Sequence, residues 1–542
     1  MSRRQFLSGV AGAAVLISVL TVLARLAGFG RTLVFTNTVG AGSTGDTYFA
    51  ANAVPNIVFE VVAGGALASL VVPMLAGGIA AGDRAQVRAT ASALLGWTLL
   101  VLTPLAVLVA VLAGPLARLL LGGGADGSAE VALAARFLLV FAPQVVLYGV
   151  GIVLTGVLQA HRRFAGPALA PLLSSVVVAA SYLLFAAMDG AGSAEALSTP
   201  AELVLGVGTT LGVAALSLSL LAPLRRLDLA LRPSLRFPVG AAPRVRRLAV
   251  AGVLTLAGQQ LLAAVAIRLA AAGPDGTQVV YAAGLTLFLV PWAALAVPLA
   301  TSAYPGLAER AEAGDEVGFG QVLAPTAVLT VVTAAGAAAV LVTVAGPMAR
   351  VFLSSAATDQ VEALRQTIVA FAPGLLGYGL VALLGRTLYA RGLWRAPTAC
   401  VVAGWLVAVA ADVVLAGLLP QADRALALGL GHTLGVTVGG AALLVVVARV
   451  VGPHALRGLP HAGAAALLGA VVAAAVGLAV ARALGAAPRP PEGVLLALGS
   501  GALAGCTAAV VAAAVIMGTA RAPITAALRD LRSPVRQEVH GG

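Results

Sequence analysis

The sequence predicts an all-α integral membrane protein, and three observations support that fold class. The chain has 542 residues, of which 60% are hydrophobic and only 10% charged, and its mean hydropathy is +1.02. A soluble protein of this length could not bury so much apolar surface. Apolar runs of roughly 20 residues, the length of helix that crosses a bilayer, recur along the chain. Part of this pattern is repeated, which indicates two similar lobes.

The apolar runs predict about 14 transmembrane helices, arranged as two lobes of six and a final pair. The predicted organisation is an N-terminal lobe at 1–222, a basic cytoplasmic linker at 223–247, a C-terminal lobe at 248–450, a helix pair within 451–519 and a cytoplasmic tail at 520–542. With the N-terminus inside, most arginines fall in cytoplasmic loops, as the positive-inside rule requires. We therefore expect a multi-pass protein of a bacterial cytoplasmic membrane with both termini in the cytoplasm.

Composition also excludes several classes of function. All 33 basic residues are arginine, so the chain has no lysine for a Walker-type phosphate loop, a kinase site or a Schiff base. The two cysteines are too few for a disulfide framework or a cysteine-rich metal site. Neither a clustered Ser/His/Asp set nor a metal-ligand spacing is present. We therefore expect no enzyme activity and no organic cofactor. We also expect no nucleic-acid partner, because the positive charge is distributed as membrane topology requires.

An internal repeat relates the two lobes. Phe141–Ala142–Pro143 recurs as Phe371–Ala372–Pro373 at an offset of 230 residues, and Gly114–Pro115 recurs as Gly346–Pro347 at an offset of 232. Equivalent helices start on the same side of the membrane, so the repeat is parallel. Transporters with parallel repeats bind their substrate between the lobes and rock to give alternating access.

Charged residues in an apolar stretch are the strongest candidates for function. The stretch from Ala24 to Ala66 contains Arg25, Arg31, Asp46 and Glu60 among residues that are otherwise apolar or small. A charge at the bilayer centre costs at least about 2.5 kcal/mol, so such residues normally face the protein interior or a hydrated cavity. Arg25 and Arg31 are expected on roughly the same side of one helix, where they would form a wall suited to an anionic ligand.

This opening resembles one known family. The segment Ala24–Arg31 reads ARLAGFGR, and it is followed by Gly40–Ala41–Gly42, by TGDTYF at Thr44–Phe49 and by Pro55–Asn56. These motifs resemble the opening of the MurJ/MviN lipid II flippases, which belong to a wider superfamily of drug, oligosaccharidyl-lipid and polysaccharide exporters. The resemblance implies transport of the undecaprenyl-pyrophosphate-linked peptidoglycan precursor to the outer leaflet. It also implies that Arg25, Arg31 and Asp46 belong to the functional set.

Some family positions are changed in this chain. The family commonly has an arginine pair where Phe59 and Glu60 stand, and an acidic residue where Gly64 stands. A cavity arginine of the family corresponds to Thr286, and Arg268 is expected either to replace that charge or to extend to the outer surface. Arg386 is a further candidate for the cavity wall.

The resemblance also suggests a monovalent-cation site in the second lobe, at Asp412 and loosely at Thr433. The alternative for Asp412 is a hydrogen bond between helices. A coupling cation or the membrane potential is the candidate driving force.

Two alternative functions stay open at the level of sequence. The first is export of another polyprenyl-linked glycan or of a drug, although arginines in the cavity count against cationic cargo. The second is a membrane scaffold for cell-wall assembly that transports nothing, which would explain the missing family arginines. The expected partners are a lipid-linked anionic glycan precursor and membrane lipids, with the cell-wall synthesis machinery as a further candidate.

Overall fold

The computed structural model describes residues 3–61, 68–122, 128–188, 193–236, 241–485 and 493–532, and its regular elements there are all helical. The chain forms two compact units, Met1–Val279 and Val280–Gly542. The helices up to the unit boundary are α1 Arg3–Thr38, α2 Ser43–Phe59, α3 Ala68–Ala80, α4 Arg84–Val111, α5 Ala113–Leu121, α6 Ser128–Ala160, α7 Ala165–Met188, α8 Thr199–Leu218, α9 Leu221–Arg225 and α10 Ala241–Ala270.

Helix α11 begins just before the boundary and continues into the second unit. The remaining helices are α11 Thr277–Pro291, α12 Val297–Glu312, α13 Glu316–Phe352, α14 Thr358–Phe371, α15 Gly374–Ala390, α16 Arg395–Leu418, α17 Arg424–Val450, α18 Leu459–Ala483, α19 Val494–Thr519 and α20 Arg521–Arg532. A π-helical turn, Trp292–Ala296, joins α11 to α12 directly after Pro291, which cannot donate a backbone hydrogen bond.

The prediction of an all-α, multi-pass membrane protein is confirmed. Within the described ranges, 10 helices are long and apolar enough to cross a membrane. The pair α14 and α15, bent by 44° at Ala372–Pro373, makes up to 11 if it counts as one span. The predicted number of 14 spans stays a prediction, as do the lobe boundaries near 222 and 248. Helix α10, expected to open the second lobe, contacts α2, α3 and α5 within the first unit.

The internal repeat is visible in the way helices begin. Asp83 precedes α4, and its carboxylate accepts a hydrogen bond of 2.9 Å from the backbone N–H of Gln86. Asp315 precedes α13 and accepts an equivalent bond of 2.8 Å from Gly318, at an offset of 232 residues. Such side chains satisfy backbone donors that the first helical turn leaves unpaired. The two caps therefore mark the same structural position in the two units.

The turns before these caps are also equivalent. Gly82 and Gly314 have φ angles of 69° and 67°, in the left-handed region that glycine adopts without strain. In the second unit, the cap carboxylate of Asp315 also accepts a hydrogen bond of 2.6 Å from Arg310. The backbone bond from Gly318, together with this guanidinium, holds the pKa of Asp315 below its usual range.

Close helix packing is repeated in the same manner. Helix α7 packs on α8, and α16 packs on α17, and both α7 and α16 are 24 residues long at an offset of 230. In the second pair, a Cβ added at Gly435 would lie 2.6 Å from the carbonyl oxygen of Gly404 and would also clash with Ala408. In the first pair, a Cβ added at Gly212 would clash with Val178. Small residues thus let the helix backbones approach closely, as is common in membrane bundles.

Part of the predicted linker packs against the first unit. Residues 229–236 follow α9 and run beside α4, where the backbone N–H of Ser234 donates to the Ser92 carbonyl at 3.0 Å. The indole N–H of Trp97 donates to the Leu235 carbonyl at 3.0 Å. A Cβ at Gly96 would lie 2.6 Å from the backbone nitrogen of Ser234, so this approach requires glycine. Residues 237–240 of the linker lie outside the described part of the chain.

The end of the chain, which the sequence predicts as a polar tail, contains the additional helix α20. Its Ile524 and Ala527 are buried, while Arg521 is exposed. The spacing of these two apolar residues, one helical turn apart, presents one face to α13, which α20 contacts. The tail is therefore amphipathic over Arg521–Arg532 rather than uniformly polar.

Close packing at Gly435 gives a direct test of the fold. We expect Gly435→Ala to lower the thermal unfolding midpoint of the detergent-purified protein, because overpacking a tight contact costs roughly 1–3 kcal/mol. Gly385→Ala is the matched control, since a Cβ at Gly385 in α15 would meet nothing within 4 Å. That variant should be neutral or stabilising, because alanine is the better helix former. Equal midpoints for the two variants would contradict the packing described for α16 and α17.

Candidate functional site

A small polar cavity inside the first unit contains one of the predicted arginines. Its volume is about 110 Å³, and Arg31 of α1 lies in its wall. Helices α1, α2, α6, α7 and α8 supply the other lining residues, which are Thr32, Phe35, Tyr48, Phe49, Asn52, Asn56, Tyr148, Ser174, Val178, Tyr182, Thr209 and Val213. We call this space the Arg31 cavity.

Hydroxyl groups from three helices meet at one side of the Arg31 cavity. The Tyr48 hydroxyl lies 2.8 Å from the Tyr182 hydroxyl and 2.8 Å from the Thr209 hydroxyl. Thr209 in turn donates to the Leu205 carbonyl of its own helix at 2.7 Å. All three side chains are buried, and buried polar groups are stable only when they are hydrogen-bonded. The network therefore fixes the positions of α2, α7 and α8 around the cavity.

The amide side chains of Asn52 and Asn56 form a second polar side of the Arg31 cavity. Tyr148 of α6 donates its hydroxyl proton to Asn56 at 2.9 Å, and Asn56 donates to the Asn52 carbonyl at 2.8 Å. The side-chain oxygen of Asn52 is buried and has no hydrogen-bond partner within the described ranges. An unsatisfied buried acceptor costs about 1–3 kcal/mol, so a donor entering the cavity would be favoured there.

Aromatic rings close the remaining wall. The Phe35 ring centroid lies 5.2 Å from that of Tyr48, 4.7 Å from that of Phe49 and 5.0 Å from that of Tyr182. Rings at these separations pack favourably in stacked or edge-on arrangements. They hold α1 against α2 and α7 directly beside Arg31.

Arg31 itself is partly buried and available for a ligand. Among the side chains that the structure describes, none forms a hydrogen bond or ion pair with its guanidinium. It lies close enough to Tyr148 and Tyr182 to interact with them electrostatically. Guanidinium donors match the oxygens of phosphates and carboxylates, so the cavity is suited to an anionic group.

The other predicted charges of this stretch have different surroundings. Arg25 is exposed and does not line the Arg31 cavity. Six residues rotate an α-helix by about 600°, which leaves the two arginines roughly 120° apart rather than on one face. Glu60 is exposed at a π-helical turn that follows α2. Gly64, where the family has an acidic residue, lies outside the described residues.

Asp46 caps the start of another helix. Its two carboxylate oxygens accept hydrogen bonds of 2.8 Å from the Gly276 N–H and 3.0 Å from the Val279 N–H. These donors belong to the turn that opens α11, where the first backbone N–H groups have no partner within the helix. A carboxylate at this position is also favoured by the helix dipole. Asp46 thus joins α2 to the beginning of α11.

In the second unit, the cation-site candidate Asp412 of α16 is fully buried, and neither of its carboxylate oxygens has a partner among the described residues. Gly431 of α17 packs directly against this carboxylate. Thr433 donates its hydroxyl proton to the Ala370 carbonyl at 2.7 Å. No group of three or more acidic, histidine or cysteine side chains that could hold a metal ion occurs in the described residues.

His432 lies in an aromatic surround next to these residues. Both of its ring nitrogens are buried, and neither has a hydrogen-bond partner in the part of the chain that the structure describes. The ring centroids of Phe288, Phe371 and Trp405 lie 5.5, 5.3 and 5.7 Å from that of His432. Both Asp412 and His432 are therefore polar side chains in a mostly apolar part of the second unit.

Arg268 and Arg386 have partial structural explanations. The Arg268 guanidinium is exposed and lies beside Gly122, within 3.3–3.7 Å of where a Cβ would be. Gly122 ends α5, and a cation beside a helix C-terminus is favoured by the helix dipole. Arg386 donates to the Ala382 carbonyl of its own helix at 2.8 Å. Thr286 likewise donates to the Ala282 carbonyl at 2.8 Å.

One residue of the Arg31 cavity that was not predicted, Thr209, lies in a second repeat of the sequence. Residues 205–213 read LGVGTTLGV and residues 428–436 read LGLGHTLGV, at an offset of 223 rather than 230. Thr210 donates to the Val140 carbonyl at 2.9 Å, which is the counterpart of the bond from Thr433 to Ala370. The repeat therefore aligns Thr209 with His432, and the offset of 230 aligns Tyr182 with Asp412.

Comparison with known proteins places these features in a family. The family model described as "Lipid II flippase MurJ" matches residues 35–489. A lipid II flippase MurJ of Burkholderia cenocepacia is 25% identical over 431 residues, covering 77% of this chain and 80% of that protein. A probable lipid II flippase MurJ of Vibrio cholerae is 34% identical over 127 residues, covering 23% of this chain and 22% of that protein. The chain thus matches about a fifth of the length of the Vibrio relative.

Solved structures show the same fold. A lipid II flippase MurJ in an inward closed conformation has a TM-score of 0.72 at 17% identity, covering 93% of this chain and 99% of that one. An inward-facing multidrug resistance MATE family transporter of the MOP superfamily has a TM-score of 0.65 at 13% identity, covering 81% and 98%. Because the family model matches most of the length of this chain, the chain belongs to the lipid II flippase MurJ family.

Proposed function

We propose that this protein flips a polyprenyl-pyrophosphate-linked peptidoglycan precursor from the inner to the outer leaflet of the bacterial cytoplasmic membrane. The observation that carries the proposal is the unpaired Arg31 guanidinium in a polar cavity among membrane helices. An anionic headgroup cannot cross hydrocarbon unaided, because moving unpaired charges out of water is very costly. Arg31 offers paired N–H donors to phosphate oxygens at a point inside the first unit.

The Arg31 cavity would receive only part of the headgroup. Its volume of about 110 Å³ is well below the roughly 300–1,000 Å³ of sites that enclose drug-sized ligands. Asn52 supplies a free acceptor and Tyr148 a hydroxyl beside the arginine, which suits a phosphate with an attached sugar. Arg25, Glu60, Arg268 and Arg386 remain proposed contacts for other parts of the substrate.

Alternating access is the proposed mechanism, and the internal repeat supports it. Equivalent helices of the two units have matching caps and matching glycine contacts, so each unit can behave as a packed body. The hydrogen bonds that the Gly276 and Val279 N–H groups donate to Asp46 would hold the start of α11 beside α2. We propose that these bonds break when that end of the protein opens. A monovalent cation at Asp412, with Thr433 nearby, is proposed to couple to this change.

The orientation is proposed from the arginine distribution. The N-terminus, the basic segment from Arg225 to Arg247 and the C-terminal helix α20 would face the cytoplasm. The turn at residues 194–196, before α8, would face outside, as would the start of α11.

Substitution of Arg31 tests the proposed function. We expect Arg31→Ala to reduce precursor flipping by roughly 10- to 100-fold, because hydrogen bonds to a charged group are worth about 1.5–3 kcal/mol. Arg31→Lys should recover only part of the activity, since lysine lacks the planar fork. The measurement is outer-leaflet exposure of the precursor in cells depleted of their own flippase. Exposed Arg88 of α4 is the control, and Arg88→Ala should flip normally. Full activity of Arg31→Ala would refute the anion site.

The Asp46 cap gives a second test. Loss of a helix cap costs about 1–2 kcal/mol, so Asp46→Ala should speed amide hydrogen exchange at Gly276 and Val279 by roughly 5- to 30-fold. Asp315→Ala serves as the control, because it removes a cap from α13 and should affect the amide of Gly318 instead. Unchanged exchange at Gly276 in Asp46→Ala would show that the cap does not hold the start of α11.

Cysteine labelling tests the orientation. In a background with Cys400 and Cys506 replaced by alanine, Glu195→Cys should react with an impermeant thiol reagent added to intact cells. Arg236→Cys should react only after the membrane is permeabilised. Both positions are exposed, so accessibility within the protein does not decide the result. The reverse labelling pattern would invert the proposed topology.

A further inference from the structure

A further cavity in the second unit lies away from the residues considered so far. Its volume is about 540 Å³, and it is bounded by the first turns of α13, the turn at Arg457–Gly458 and the first turns of α20. We call it the α13–α20 cavity. The proposed transport function uses none of its residues.

The lining of the α13–α20 cavity is apolar except for two side chains. Along α13 the wall runs from Val317 through Ala324 to Val328, a distance of about 16 Å along the helix axis. Pro523, Ala526 and Ala527 of α20 form the opposite wall, and the only polar side chains in the lining are Gln321 and Arg457. A water-soluble polar ligand would find almost no hydrogen-bonding groups there, whereas a hydrocarbon chain would be accommodated.

Arg457 provides an unbalanced positive charge at this cavity. Its side chain is exposed, and it has no hydrogen bond or ion pair with the part of the chain that the structure describes. Glu316, at the start of α13, is paired with Arg391 instead, so it does not neutralise Arg457. Arg521, at the start of α20, is a further exposed arginine. The surroundings thus favour an anionic group next to an apolar space.

The cavity lies where a membrane span meets water. Helix α13 begins at a capped turn after Asp315, and Val317 is 69% exposed although it is apolar. Helix α20 buries Ile524 and Ala527 and exposes Arg521, the pattern of a helix lying in the headgroup region. Basic residues at this level attract anionic lipids.

We propose that the α13–α20 cavity binds one anionic glycerophospholipid. An acyl chain occupies the apolar space between Ala324 and Ala526, and the lipid phosphate accepts hydrogen bonds from Arg457. The bound lipid connects α20 to α13 and covers the apolar wall at the end of the span. This proposal is independent of precursor flipping, since the site contains neither Arg31 nor Asp46.

Native mass spectrometry of the full-length protein tests the site. The detergent-purified protein is titrated with phosphatidylglycerol and, separately, with phosphatidylcholine carrying the same acyl chains. We expect the protein to retain phosphatidylglycerol more tightly than phosphatidylcholine. Arg457→Gln should weaken the binding of phosphatidylglycerol by about tenfold, as expected for the loss of a hydrogen bond to a charged group. Ala324→Leu, which fills the apolar space, should weaken the binding of phosphatidylglycerol without changing the charge.

Arg449→Gln is the matched control, because Arg449 is an exposed arginine at the end of α17 and does not line the cavity. It should bind phosphatidylglycerol like the unmodified protein. Only variants whose thermal unfolding midpoint equals that of the unmodified protein are compared. Equal retention of both lipids, or unchanged binding by Arg457→Gln and Ala324→Leu, would overturn the proposal. Displacement of phosphatidylglycerol by undecaprenyl phosphate at lower concentration would assign the cavity to a polyprenyl lipid and would also overturn it.

Discussion

Backbone contact at glycine is the constraint on which both units depend. In hydrocarbon, helices gain nothing from being apolar, so they associate through close packing and through hydrogen bonds. Gly212 allows α8 to approach α7, and Gly435 allows α17 to approach α16. Thr209 of α8 bonds to Tyr48 of α2 in one unit, and in the other the close approach places Gly431 against Asp412. The polar groups of each unit are thus positioned by contacts between small residues.

The same scaffold carries different chemistry in the two units. Tyr182 and Thr209 in the first unit correspond by sequence offset to Asp412 and His432 in the second. The hydroxyls of the first unit satisfy one another beside Arg31, while the carboxylate and imidazole of the second have no hydrogen-bond partner among the described residues. Equivalent positions of one scaffold therefore carry paired hydroxyls in the first unit and unpaired titratable groups in the second.

Asp46 illustrates how a membrane charge can have a structural use. The sequence indicates only that the cost of placing the Asp46 charge in an apolar stretch must be compensated. A site for anions cannot compensate it, because such a site does not attract a carboxylate. The structure provides backbone N–H groups at the start of α11, and each carboxylate oxygen accepts one hydrogen bond from them. Arg268 is explained in a similar way by the end of α5. Charges in this chain are therefore balanced by helix termini as well as by other side chains.

The sequence by itself determined the fold class and the two-lobe repeat, and it singled out Arg31 as a candidate, because hydropathy, repeated motifs and the cost of charge in lipid are local properties. It did not determine which side chains surround Arg31, since Tyr48, Tyr148 and Thr209 come from separate helices whose packing joins them. It placed Arg25 and Arg31 on one wall, whereas about 120° of helical rotation separates them. It also missed helix α20, because a buried face of two apolar residues, Ile524 and Ala527, is not visible as a hydropathic run. Only the tertiary structure decided these points, since each depends on which helix faces which neighbour.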